Sequence, residues 1–400
     1  MDKNSRLSVS DHRARRIDDI EWLRAIAVLG VVAHHSQDNL FSWHPKWLAS
    51  LLGHLDLWSG VDMFFAISGF VIARSLLPLL DACAGRLRLG IRQIWAFWIA
   101  RAFRLLPSAW LWLGLILFAA WGLNAHDIFG SLHTNWMATL AGIFQVANFR
   151  FADAFASYPY GASFVYWSLS LEEQFYIALP LLALMLKRRI AWLMMLVILI
   201  QLVIPRGLLL MSVRTDALAW GVLMALFSQL PAFVRFEPHW LNGRRWLQCI
   251  CGFGLVFAIA AISATEKLDI GHRVSIVAVL AVTLVWIAAY NHDYLSGSDG
   301  YTKRLMLWIG HRSYAIYLIH VPAFFVVREL WWRSTGMQAL GGIMQTMIFS
   351  ASAALLIAFL AEANFRIVEK PLRRLGRRVA SHIHGTVNDM QTSLYPGSQT

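Results

Sequence analysis

The sequence predicts an all-α fold, a polytopic membrane helix bundle of about ten transmembrane helices with both termini cytoplasmic. Three observations carry that class. Of the 400 residues, 58% are hydrophobic and only 14% charged, with a mean hydropathy of +0.54, whereas a soluble domain is roughly 45–50% apolar and about 25% charged. Apolar runs of the length needed to cross a hydrocarbon core recur along the chain. The basic residues cluster in short stretches between those runs, as the positive-inside rule requires. The 19 Trp and 24 Phe suit a protein with aromatic belts. These figures exclude a disordered, collagenous or disulfide-stapled chain, and the net charge of +12 reads as topology, not as a nucleic-acid signal. Cys83, Cys249 and Cys251 form no metal or oxidised framework.

Taken in order, residues 1–17 form a basic cytoplasmic tail (Lys3, Arg6, Arg13, Arg15, Arg16) without the apolar core of a cleaved signal. Apolar runs follow near 20–37, 59–80, 104–123, 134–149, 166–186, 190–205, 208–228, 246–264, 273–291, 305–330 and 340–364. The run at 134–149 is the weakest, being short and carrying Asn135, Thr139, Gln145 and Asn148. If it crossed, Lys187, Arg188 and Arg189 would fall outside. Read as a non-spanning or re-entrant part of an outer segment, it leaves 81–103, 187–189, 229–245 and 291–304 inside. The membrane domain then runs from 18 to 375, followed by a polar C-terminal tail from 376 to 400 that is loosely ordered from about 380. No repeat of 20–50 residues is visible.

Charges at membrane depth cost at least ~2.5–3.5 kcal/mol, so they usually face a partner or a wet cavity. The first span holds Glu21, Arg24, His34 and His35. Arg24 and His35 are eleven residues apart, close to three full turns, so they share a face about 16 Å apart; His34 points roughly 100° away. A histidine can move a proton near neutral pH, while the bland alternative is a packed His35 and an Arg24 anchored on Glu21. Asp62 opens the second span beside Phe65, Ala66 and Gly69, as a capping or paired acid or as chemistry. Arg101 and Arg104 can grip an anion from one helix surface or simply flank a span. In the fifth span Ser168, Glu172 and Tyr176 make a polar stripe, and Glu173 lies between Leu169 and Ile177, which favours Glu172 as the inward acid. Arg214 and Asp216 in the seventh span, and Ser313, Tyr317 and His320 in the tenth, fit interhelical hydrogen bonding or chemistry equally well.

In this order, Arg24-x10-His35, G-V-D-M-F-F-A-I-S-G-F from Gly60, R-A-F-R-L-L-P from Arg101, W-S-L-S-L-E-E-Q-F-Y from Trp167, R-T-D-A-L-A-W-G from Arg214, S-Y-A-I-Y-L-I-H from Ser313 and V-E-K-P-L-R-R from Val368 resemble the acyltransferase-3 family of bacterial membrane O-acyltransferases. The resemblance covers about 18–375. It implies transfer of an acyl group, most often acetyl, from cytoplasmic acyl-CoA to a hydroxyl of a surface or exported polysaccharide or glycolipid, such as lipopolysaccharide, exopolysaccharide or peptidoglycan. It implies a multi-pass place in the bacterial cytoplasmic (inner) membrane. The co-substrate is acyl-CoA, with no tightly bound cofactor and no metal; the partners are a glycan acceptor, membrane lipid and proteins of glycan assembly, with no nucleic acid. Some members carry an extracytoplasmic hydrolase-like domain. None is expected within this chain, where about 25 residues follow the last motif.

On this reading Arg101 and Arg104 hold the CoA phosphates, the pantetheine arm passes Arg24, and His35 is general base or transient acyl carrier. Glu172 or Asp62 orients its imidazole, and Arg214, Asp216 and His320 serve substrate or structure. The competing class is a transporter or flippase of a lipid-linked glycan, which would more often show an internal repeat.

Overall fold

The computed structural model describes residues 17–394 apart from 42, 44–47, 49, 52, 298 and 337–341, with side chains as far as 383. The basic tail before Ile17 and the last six residues therefore lie outside the described residues. The fold is all-helical, and no strand occurs among the described residues.

Helix α1 spans Asp18–Asn39, α2 Gly60–Ala82 and α3 Leu87–Gly122. Two short helices follow, α4 (Leu132–Ile143) and α5 (Ala147–Ala154). At about 1.5 Å per residue neither alone reaches across a bilayer. Ser131 starts α4 by accepting the N–H of Thr134 at 3.1 Å. Then come α6 (Tyr166–Leu186), α7 (Ile190–Val203), α8 (Asp216–Phe227), α9 (Arg245–Ala264) and α10 (Ile270–Ala289), the last capped by Asp269, whose carboxylate accepts from Gly271 and His272. The chain closes with α11 (Tyr301–His311), α12 (Ser313–Thr335), α13 (Ile343–Asn364) and α14 (Lys370–Leu394), the last two joined through a π turn at Phe365–Glu369.

Six helical stretches among the described residues are long and apolar enough to cross a membrane: α2, α3, α9, α10, α12 and the continuous Ile343–Ile383. Together with large apolar side chains that face outward, such as Trp121, Trp192, Leu355 and Phe359, they make this an integral membrane protein. Three boundaries differ from the sequence reading. The third span begins at Leu87, since an arginine-rich amphipathic segment continues without a break into the apolar one. The run at 208–228 is broken, with one helical turn at Leu208–Ser212 before α8. The boundary at 376 falls within α14, where Gly376 lets the helix lie against Phe103: a Cβ there would sit 2.5 Å from that side chain.

α2 and α12 are the most enclosed of these helices, α9 and the 343–383 helix the most exposed. The start of α1 and the loop 291–300 meet at one end of the bundle, where Asp19 accepts three backbone N–H groups, from Tyr294, Leu295 and Ser296. Arg74, Arg104 and Arg373 gather in a pocket that Ile17 and Glu21 also line, which makes this the basic end. The end of α1 and the start of α2 lie at the opposite end, where Arg328 donates to the Asn39 carbonyl and the Ala125 N–H donates to Glu329.

Candidate active site

Glycines set the spacing on which the site depends. α2 and α8 cross at Gly69 and Gly221, where a Cβ would fall 2.2 Å from the Leu218 carbonyl oxygen and 2.3 Å from that of Ala66. Only hydrogen fits, so the two backbones touch. This contact brings Asp62, at the start of α2, onto Arg214, just before α8. Arg214 donates from Nε and Nη2 to the two carboxylate oxygens of Asp62, both at 3.0 Å, a bidentate pair with both side chains buried. Its guanidinium lies 5.0 Å from the rings of Trp58 and Trp167 alike. Asp216 turns to a different cation, Arg206, at 2.8 Å, with Ser275 in reach.

A pocket lies between α1, α2, α3, α6 and α12. Arg24, Arg101 and Arg104 line it, as do Ser68, Glu172, Glu173, Tyr176 and, on α12, Ser313, Tyr314 and Tyr317. A second pocket shares Arg24, Arg104, Ser313 and Tyr314 with it and runs past Arg74, Arg373 and His311. Through these shared residues the two pockets adjoin, and together they line a path from the basic end towards the middle of the bundle. Arg24 pairs with Glu21 at 2.9 Å. Arg101 lies 4.5 Å from the centroid of the Tyr176 ring. Neither Arg101 nor Arg104 makes an ion pair among the described residues, and the buried Nε of Arg104 has no hydrogen-bond partner. Glu172 accepts hydrogen bonds from Ser68 and Tyr176. Beyond Glu172, the Tyr317 hydroxyl and Ser168 Oγ are 2.5 Å apart and narrow the path.

One turn past Tyr317 lies His320, wholly buried, with Nδ1 2.8 Å from the Tyr317 carbonyl oxygen. A carbonyl only accepts, so that nitrogen carries the proton and His320 Nε2 the lone pair. His35 Nδ1 is 2.9 Å from that Nε2 and must be the donor. In the neutral pair, His35 Nε2 is then left unprotonated, a free base or nucleophile. The rings stack, and Phe164 meets His35 edge-on.

The sequence compares with known proteins in the same sense. An acyltransferase domain model matches residues 17–362. The chain belongs to the acyltransferase-3 family. Similar to it are a Staphylococcus aureus (strain COL) protein named "Putative O-acetyltransferase", 28% identical over 91% of this chain and 58% of its own length, and the peptidoglycan O-acetyltransferase OatA of Listeria monocytogenes, 26% identical over 90% and 56%. "Putative peptidoglycan O-acetyltransferase YrhL" of Bacillus subtilis is 27% identical over 91% and 56%. The chain thus spans less than two thirds of these relatives' length. No solved structure matches it.

Within this acyltransferase-3 chain the structure gathers Arg24, Arg101, Arg104 and Glu172 on one cavity and His35 with His320 beside its far end. It does not bring either expected acid to His35. Asp62 is taken up by Arg214, 152 residues away in sequence, and Glu172 by Ser68 and Tyr176; the partner of His35 Nδ1 is an imidazole. Arg214 and Asp216 are not partners of each other, because their neighbours on α2 and before α8 neutralise them first. Glu173 was expected to face away, yet it lines the cavity with Glu172, since Leu169, on its own stripe, also points there. Sequence reasoning missed Ser68 and Tyr314 as lining groups and Asp56 as the partner of His34 at 2.7 Å. For Ser68 the signal was present, six residues after Asp62 in a motif already singled out.

Proposed function

We propose that this protein moves an acyl group, most often acetyl, from acyl-CoA to a sugar hydroxyl of a cell-surface or exported polysaccharide or glycolipid. The observation that carries the reading is the path itself. It opens at the basic end among arginines suited to phosphates and ends at Tyr317, whose carbonyl anchors the two histidines. In this account Arg101 and Arg104 take the CoA phosphates, the pantetheine arm runs past Arg24 and Glu172, and the thioester meets His35 Nε2. Arg104, with a buried Nε that lacks a partner, has a donor in reserve for such a ligand. The names of the relatives support acetyl as the group and a glycan as acceptor. The bundle crosses about ten times with both termini and the basic end cytoplasmic, in a bacterial inner membrane. Proteins of glycan assembly supply the acceptor from the other side.

The test is consumption of [14C]acetyl-CoA by membranes carrying the full chain. Faster label release than from control membranes, lost on His35→Ala with the protein still inserted, is the expected result. Binding of a glycan without any consumption would refute the enzyme and favour a carrier of lipid-linked glycans.

A further inference from the structure

A carboxylate–imidazole couple does exist next to His35, on His34. His34 Nδ1 donates to Asp56 Oδ1 at 2.7 Å. Asp56 also accepts from the Trp58 N–H at 3.3 Å, and its own N–H donates to the Ala260 carbonyl, so the loop that carries it is tied down on both sides. Burial would raise the Asp56 carboxyl, but the hydrogen bond and charge of His34 outweigh it and hold Asp56 below the usual carboxylate range. With the Nδ1 proton given to Asp56, His34 Nε2 carries the lone pair. The two side chains are 30% and 33% exposed, whereas His320 is fully buried. His34 is therefore reachable from the end of the bundle opposite the arginines. Its ring centroid lies 5.1 Å from that of His35.

The two imidazoles are equipped for different tasks. A general base must hold a positive charge after taking a proton, and Asp56 offers His34 a counter-charge for that state, in the manner of a hydrolase triad. His35 has only a neutral imidazole at Nδ1, which gives no counter-charge but can accept the Nδ1 proton. That suits a nucleophile, whose ring must shed a proton once it is acylated.

We propose that His34, oriented by Asp56, is the base for the acceptor hydroxyl, and that His35 carries the acyl group between donor and acceptor. The assignment rests on the acyl-transfer reading above. In the first step His35 Nε2 bonds the acyl carbon, the carbon–sulfur bond breaks and CoA leaves as thiolate, while the Nδ1 proton moves to His320 Nε2. In the second, the hydroxyl oxygen bonds the acyl carbon and its proton goes to His34 Nε2. The carbon–nitrogen bond breaks, its electron pair returns to His35 Nε2, and His320 gives the Nδ1 proton back. His34 then releases its proton to solvent and the thiolate takes one, so the sum is acyl-CoA plus alcohol to ester plus CoA.

Single-turnover loading of the detergent-solubilised full chain with [14C]acetyl-CoA tests this, with water as the acceptor common to every sample. Wild type should take up label on protein and release it as acetate. His34→Gln and Asp56→Asn should load as wild type does but release label 10²-fold or more slowly, in the range lost with a general base. Loading at the wild-type level with slowed release separates loss of the base from a merely structural defect, which would slow both steps. Wild-type release rates in both variants, or consumption of acetyl-CoA by wild type with no protein-bound label, would overturn the proposal and leave acyl transfer standing. No consumption by wild type at all would overturn both.

Discussion

Neutralising Asp62 should destabilise the protein severely, and removing Arg214 as well should largely reverse the loss. The guanidinium of Arg214 is buried, donates twice to Asp62 at 3.0 Å, and is enclosed by two tryptophan rings. Asp62→Asn leaves that charge in place with no counter-charge, and breaking a buried pair from one side costs about 3–5 kcal/mol. The cation–π contacts to Trp58 and Trp167 survive, but at about 0.5–2 kcal/mol each they offset only part of it. Asp62→Leu with Arg214→Met removes both charges and keeps the volume filled, a change that is often neutral. The assay is thermal denaturation of the purified full chain in detergent, comparing both variants with wild type, followed by acetyl-CoA consumption. We expect a large midpoint drop for the single variant and recovery in the double one, with activity retained. A single variant within about 1 kcal/mol of wild type, or a stable double variant without activity, would refute the structural role and return Asp62 to the chemistry.

Gly69→Val should prevent α2 and α8 from touching, because its Cβ would lie 2.2 Å from the Leu218 carbonyl oxygen; overpacking costs about 1–3 kcal/mol or more. Gly114→Ala, in open space on α3, should be neutral or stabilising, and the two are compared by yield of monodisperse protein. Arg101→Met combined with Arg104→Met should raise the KM for acetyl-CoA at least tenfold and that for acetyl-pantetheine far less. An equal rise for both donors would remove the phosphates from this account. In the loop before α9, hydrogen bonds from Tyr294 and His292 overcome burial and hold the Glu237 carboxyl below its usual range. Its stabilisation is thus complete above the unfolded value of about 4.3 and lost as pH falls through the folded one. Glu237→Gln should flatten that part of the stability profile, and an unchanged acid limb would contradict the assignment.

Much of the fold was legible because lipid leaves composition little freedom. The apolar runs lie on the helices, and in the weak run at 134–149 Asn135 and Asn148 are buried and hydrogen-bonded, to Phe129 and to Gln174 on α6. Helical periodicity also placed Ser168 and Glu172 on one face, and Ser313 and Tyr317 on another, each facing the cavity. Partnership was not legible. Asp62 meets Arg214 across 152 residues and His35 meets His320 across 285. The register between two helices depends on where their backbones touch, here at Gly69 and Gly221, and not on the period of either one. Periodicity also placed His34 away from His35 and so hid its value. A ring pointing about 100° aside reaches a different element, and that element carries Asp56.

The account stands most directly on the ester-linked acetyl content of surface glycans in cells lacking the gene, complemented with wild type or with His35→Ala at equal membrane abundance. It predicts that wild type restores alkali-labile acetate and that His35→Ala restores none. Restoration by His35→Ala to the wild-type level would contradict it.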